Sequence, residues 1–121
     1  MKIAIIEDSY FMRCFTVMTV KQLYPEAELF EFADAEQALK SIREVAPDLI
    51  TLDLLMPGIG GIEFLMQARR QELQARIVVI TANVQPIVRQ RCIDAGAHAF
   101  VEKPITVAKL RKALEEQPVA S

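Results

Sequence analysis

The feature that most limits what this chain can fold into is a repeated exchange between two hydrophobic periods. Short apolar runs stand at Ile3–Ile6, Leu29–Phe32, Leu49–Leu52, Ile77–Ile80 and Ala97–Val101. Between and after them, apolar residues recur at helical spacing over 10–23, Ala35–Val45, Ile62–Leu73, Pro86–Ala95 and 106–116. Strands buried on both faces read as continuous apolar runs, as these do. Five strand–helix units in strict alternation imply an α/β fold: a parallel sheet with helices on both faces and right-handed crossovers. The punctuation agrees. Pro86 is tolerated only in a helix's first turn, Gly96 suits a helix stop, and Thr106 suits an N-cap.

A chain of 121 residues fits one domain, assigned here to 1–121, with 117–121 as a tail or the start of a linker. Hydrophobic residues make up 52% and charged residues 25%, enough apolar surface for a real core. The formal net charge is −2 with no basic run, which argues against direct nucleic-acid binding by this domain. Cys14 and Cys92 form neither a CxxC pair nor a disulfide framework and read as free thiols in a reducing compartment. The first apolar run is too short for a signal-peptide core, and no run approaches the roughly 20 residues of a membrane span. A cytoplasmic protein without membrane association is expected.

In a parallel sheet, ligands gather at the carboxyl ends of the strands. There the sequence sets Glu7-Asp8, Asp53, Thr81-Ala82 and Lys103-Pro104. Each alone could be an ordinary wet strand end, and Asp53, followed by Met56, Pro57 and three glycines, could simply begin a turn. Together they form a chemical set. Asp8 and Asp53 repel each other unless a cation lies between them, and carboxylates and carbonyls suit hard Mg²⁺. An aspartate can attack phosphorus to give an aspartyl phosphate. The metal and a lysine can neutralise the transferring phosphoryl oxygens, a threonine hydroxyl can donate to one of them, and a small alanine keeps the approach open.

These residues resemble the receiver domain of two-component response regulators, and in particular its single-domain, chemotaxis-type members. The resemblance runs from Ile3 to about Leu114. It rests on Glu7-Asp8, on Asp53 with Met56-Pro57 and Gly61, on Thr81-Ala82, on Gly96-Ala97 before Phe100, and on Lys103-Pro104. It implies a flavodoxin-like, doubly wound (βα)5 three-layer sandwich with strand order 2-1-3-4-5. It implies Asp53 as phosphoacceptor, and Mg²⁺ on Asp8, Asp53 and the Leu55 carbonyl, with Glu7 acting through water. Lys103 would contact the phosphoryl group. Thr81 and Phe100 would report phosphorylation to an output face spanning 86–116, which is also the expected face for any dimer. Pro57, Gly61 and Pro104, the last after a typically cis bond, would shape loops. Leu55 and Asn83 would tune hydrolysis, and the apolar Leu55 implies a long-lived phosphoryl state.

The implied donor is a sensor histidine kinase or a histidine phosphotransfer protein. The implied target is a downstream effector protein or a fused output domain. In 10–23, Met12, Phe15, Thr16, Thr19 and Leu23 form the face expected to pack on the sheet. A second apolar stripe, Tyr10, Cys14, Val17 and Met18, is either buried against 106–116 or a docking face for the donor's helices. The alternative function is a receiver-like interaction module that is never phosphorylated. A phosphohydrolase of the haloacid-dehalogenase kind would need an acid where Leu55 stands. A flavin carrier would need a hydroxyl- and Gly-rich loop where Glu7-Asp8-Ser9-Tyr10 stands. His98 is given no role.

Overall fold

A computed structural model of the chain describes residues 1–56, 58 and 60–115. Pro57 and the expected 117–121 tail lie outside them, as does the last residue expected in helix 106–116. Strands β1 (Lys2–Ile6), β2 (Glu28–Phe32), β3 (Leu49–Asp53), β4 (Arg76–Thr81) and β5 (Ala99–Glu102) alternate with five helices. These are α1 (Tyr10–Leu23), α2 (Ala35–Val45), α3 (Gly60–Arg70), α4 (Pro86–Asp94) and α5 (Val107–Glu115). Every strand pairing is parallel, in the order β2-β1-β3-β4-β5. The order reverses direction at β1 and β3, so their carboxyl ends open a crevice. The register sets Ile6 beside Leu52 and Asp53 beside Ile80, which brings the residues after β1 level with the end of β3.

The two faces of the sheet carry separate cores. On one, Ala4, Ile6, Ile50, Leu52, Ile77 and Val79 meet Ala38 and Ile42 of α2, Phe64 and Leu65 of α3, and Cys92 of α4. On the other, Ile3, Ile5, Leu49, Val78, Ile80 and Val101 meet Val20 of α1 and Leu110 and Ala113 of α5. This is the expected three-layer sandwich. Burial of one such aliphatic side chain stabilises the fold by about 1.5–3 kcal/mol. The central strands, apolar on both faces, therefore dominate its stability.

Three expectations shift. Helix α3 ends at Arg70 rather than Leu73: Glu72 takes a left-handed φ of 56°, and Leu73 returns to the core from beyond the helix, its N–H donating to the Ala68 carbonyl. The buried stripe of α3 is Gly61, Phe64, Leu65 and Ala68, leaving Met66 exposed. Strand β5 begins at Ala99 because the Ala97 N–H closes the end of α4 on Cys92 O. Helix α1 keeps Thr16, Thr19 and Leu23 on the expected face but adds Val20 to it and leaves Phe15 out. Thr16, Thr19 and Val20 are buried, Phe15 is exposed, and only Val17 of the second stripe packs with the α5 core; Tyr10 and Met18 stay exposed. The Thr16 and Thr19 hydroxyls donate to carbonyls four residues back, which lets hydroxyls occupy the buried face.

His98 ties β5 to β4 at the opposite end from the crevice. Its N–H donates to Ile77 O, and its Nδ1 accepts from Ile77 N at 3.0 Å. That acceptor requires an unprotonated Nδ1. Desolvation first, and Arg76 second, hold the imidazole below its ordinary 6.5. The unfolded chain therefore binds the proton first, and stability is lost as pH falls below about 6.5. Urea unfolding at stepped pH should show that loss in the wild type and a smaller one in His98→Asn, whose side-chain oxygen keeps an acceptor without titrating. Identical pH profiles would contradict the assignment.

Candidate functional site

Glu7 follows β1 and is buried; Asp8 follows it and is exposed; Asp53 ends β3 and is buried. Carboxylate oxygens of the three lie within 4.8 Å of one another. Lys103, just past β5, reaches across: its Nζ stands 2.8 Å from Glu7 Oε1 and 3.4 Å from Asp53 Oδ1. Burial alone would lower the Lys103 pKa. The hydrogen bond that the ammonium donates to Glu7 and the charges of Asp53 and Glu7 outweigh it and raise the pKa, which favours the charged form. Asp8 is raised above the ordinary carboxylate value by partial desolvation first, then by its hydrogen bond with Glu7 and the Glu7 charge.

Local structure builds this corner. The Glu7 N–H donates to Phe32 O, and the Ser9 N–H donates to Glu7 Oε2 at 3.2 Å. Ser9 then caps α1, its Oγ accepting from Met12 N. Arg13, one turn into α1, donates to the Glu7 carbonyl at 2.7 Å; it is held there by Glu31 at 3.3 Å and by stacking on Tyr10 at 5.6 Å. On the β3 side, Gly61 N donates to Leu54 O. A Cβ on Gly61 would stand 2.7 Å from Leu54 Cα and 2.9 Å from Asp53 O, so this position admits no side chain without moving the Asp53 loop.

Thr81, fully buried at the end of β4, lines a cavity of about 270 Å³ with Leu54, Leu55, Gly61, Asn83 and Val88. Its Oγ1 accepts from Asn83 N, whose Oδ1 accepts in turn from Gln85 N. Ala82 is exposed beside it. Leu55 points outward, 69% exposed, with its N–H 3.5 Å from Asp53 Oδ1. Phe100 stands apart from the acid cluster, half-buried against the α2–α4 core with the Arg89 guanidinium 5.9 Å from its ring. The Lys103–Pro104 peptide is cis. The structure thus gathers Glu7, Asp8, Asp53 and Lys103 into one cluster, sets Thr81, Asn83 and Leu55 beside it, and leaves Phe100 one step away. Ser9 and Arg13 escaped notice in the sequence. Ser9, three residues before Met12, carried a cap signal; Arg13 carried none, because its reach depends on the turn of the chain.

The donor set fits a hard divalent cation. All its ligand atoms are oxygens, and three carboxylates against one ammonium leave an excess of two negative charges. Such a cluster at the switch point of a doubly wound α/β fold is a candidate cation site. The chain belongs to the response regulator receiver domain family, whose model matches residues 3–115. It is 32% identical over 118 residues to the chemotaxis protein CheY of Bacillus subtilis, covering 95% of each chain. It is 30% identical over 119 residues to CheY of Listeria monocytogenes, covering 96% of this chain and 97% of that one. Among solved structures, the chemotaxis protein CheY4 of Vibrio cholerae matches with a TM-score of 0.84 at 27% identity, over 94% of this chain and 95% of that one. Receiver domains are signalling proteins of two-component systems whose general function is a phosphorylation switch, and they generally bind Mg²⁺ at an acidic site. No helix among the described residues is long and apolar enough to cross a membrane.

Gly61→Ala should lower stability by about 1–3 kcal/mol through overpacking against the Leu54 backbone. Gly58→Ala, where a side chain meets nothing within 4 Å and only a φ of 84° opposes it, should cost less. Urea midpoints of the two variants check this, and the reverse order would contradict it.

Proposed function

We propose that the protein is a phosphorylation-dependent switch that takes a phosphoryl group onto Asp53 from a phosphohistidine of a sensor kinase or phosphotransfer protein. The observation that carries this reading is the convergence of Glu7, Asp8 and Asp53 within 4.8 Å, with the Lys103 ammonium among them. Residues 1–121 act as one receiver domain. An Asp53 carboxylate oxygen attacks phosphorus. The P–N bond breaks, its electron pair leaves with the imidazole nitrogen, and that nitrogen takes a proton from solvent. The product is a mixed anhydride on Asp53. Asp8, Asp53 and the Leu55 carbonyl would hold Mg²⁺, with Glu7 acting through water, and the bound ion supplies charge neutralisation at the phosphoryl oxygens.

Lys103 supplies a second positive charge. It has only to turn from Glu7 Oε1 toward a phosphoryl oxygen on Asp53, which it already faces at 3.4 Å. Thr81 exchanges its contact with Asn83 N for a phosphoryl oxygen, and Ala82 leaves the approach clear. The displaced hydroxyl opens space behind it for the half-buried Phe100 ring, whose partner Arg89 lies on α4. Among described residues of α4 only Cys92 is buried, so this helix can shift at little packing cost. That makes the 86–116 region the output face toward an effector or a second copy. Gly61 and Pro104 shape the loops, and Leu55 and Asn83 tune the lifetime. Tyr10 and Phe11, 72% and 73% exposed at the start of α1 beside the acid pair, suit docking of the donor's helices.

Intact mass after incubation with Mg²⁺ and a small acyl phosphate tests the reading. One phosphoryl addition is expected in the wild type, absent without Mg²⁺ and absent in Asp53→Asn. The exposed Leu55 side chain cannot orient an attacking water, so the adduct should persist for minutes or longer. Failure of both acyl phosphate and a phosphohistidine donor would favour a receiver-like module that is never phosphorylated, and decay within seconds would refute the role given to Leu55.

A further inference from the structure

The turn after β5 is held by a residue that the proposed chemistry does not use. Lys109 sits in the first turn of α5, where its own N–H donates to Thr106 Oγ1 at 3.1 Å. A cation there opposes the helix dipole, and α5 has no acidic residue in its first turn to offset it. A local conflict of this kind calls for a compensating contact. The Lys109 side chain folds back over the turn, and its Nζ donates to the carbonyl oxygens of Glu102 at 3.3 Å and Pro104 at 3.1 Å. Those residues stand immediately before and after Lys103. From the sheet side, the Lys103 N–H donates to Thr81 O at 2.9 Å. The backbone at Lys103 is thus gripped on both sides. A lysine side chain is a flexible four-carbon stem, so the position of its tip depends on how firmly its root is held.

We propose that Lys109 is a positioning residue: it fixes the backbone that carries Lys103, and so fixes where the Lys103 ammonium stands between Glu7 and Asp53. The inference rests on the proposed function for its consequence on rate, but not for its structural content. Lys109 is exposed, so its hydrogen bonds contribute little to global stability. Its effect should fall on the reaction instead. The exposed Lys112 on the same helix has no such contact among the described residues and serves as the control.

The test uses the full chain with Mg²⁺ and a small acyl phosphate. Lys109→Ala should lower the maximal rate of phosphoryl incorporation about three- to tenfold, as displacement of a catalytic group does. Its urea midpoint and half-saturating Mg²⁺ should match wild type. Lys109→Arg should recover most of the rate, and Lys112→Ala should match wild type. In a Lys103→Ala background, Lys109→Ala should cost nothing further, because it acts only through Lys103. An undiminished rate in Lys109→Ala, or a cost that persists without Lys103, would overturn the proposal. Proton–carbon NMR of the Lys103 Cε methylene decides the positioning separately. A distinct signal that collapses to that of a solvated lysine in Lys109→Ala supports it, and an unchanged signal refutes it. If the wild type takes no phosphoryl group, the proposed function fails while this spectrum still decides whether Lys109 positions Lys103.

Discussion

Charge crowding at the ends of β1 and β3 is the constraint around which the rest of the structure is arranged. Glu7 and Asp53 are both buried, and at the 4.8 Å limit of their spacing their repulsion would be about 3–4 kcal/mol at an effective dielectric near 20. That is a sizeable part of the 5–15 kcal/mol by which a domain of this kind is typically stable. Lys103 offsets it from the far side of the crevice, and the register of five parallel strands is what brings Lys103, Glu7 and Asp53 to one place although 96 residues separate the first two. The doubly apolar strands supply the stability that a strained, charged corner consumes.

Much of this was legible in the sequence, for identifiable reasons. Ile3–Ile6 and Ile77–Ile80 are unbroken apolar runs rich in β-branched residues, as a strand covered on both faces requires. Gly96 announced the end of α4 and takes a φ of 115°, open chiefly to glycine. The strand-end positions of Glu7, Asp8, Asp53 and Lys103 follow once the sheet is parallel. The end of α3 was hidden because its left-handed residue is Glu72, not glycine, and because Leu73 continues the apolar period beyond it. The buried face of α1 was legible at Thr16 and Thr19, whose hydroxyls satisfy themselves on carbonyls four residues back, but the exposure of the large apolar Phe15 and the burial of Val20 were not. Arg13 and Lys109 could not be found by pattern, since each acts on a carbonyl brought near by a turn and neither belongs to a motif.

Two loops at the carboxyl edge of the sheet, those after β1 and β5, share one construction. A cation from the helix that follows reaches back to hold a carbonyl of the loop: Arg13 on Glu7, Lys109 on Glu102 and Pro104. Arg13 is itself steadied by Glu31 and Tyr10. Carbonyls are neutral acceptors, so these cations restrain the backbone without cancelling the negative charge that the site needs. Around this rigid centre lie two less committed surfaces. One is the aromatic start of α1, where Phe11 and Phe15 stand with ring centroids 6.5 Å apart. The other is α4, which contributes only Cys92 as a buried side chain. A fixed centre between an exposed apolar patch and a lightly packed helix is the division of labour that a switch with an input and an output requires.

The most direct test of the central claim is thermal unfolding of the wild type and of Asp53→Asn, each with millimolar Mg²⁺ and with a chelator. If the three carboxylates form a crowded site for one divalent cation, Mg²⁺ raises the wild-type Tm by binding only the folded chain. Asp53→Asn, relieved of one negative charge, is then the more stable protein in chelator and gains less from Mg²⁺. A wild-type Tm indifferent to Mg²⁺, with no stabilisation by Asp53→Asn, would contradict the account.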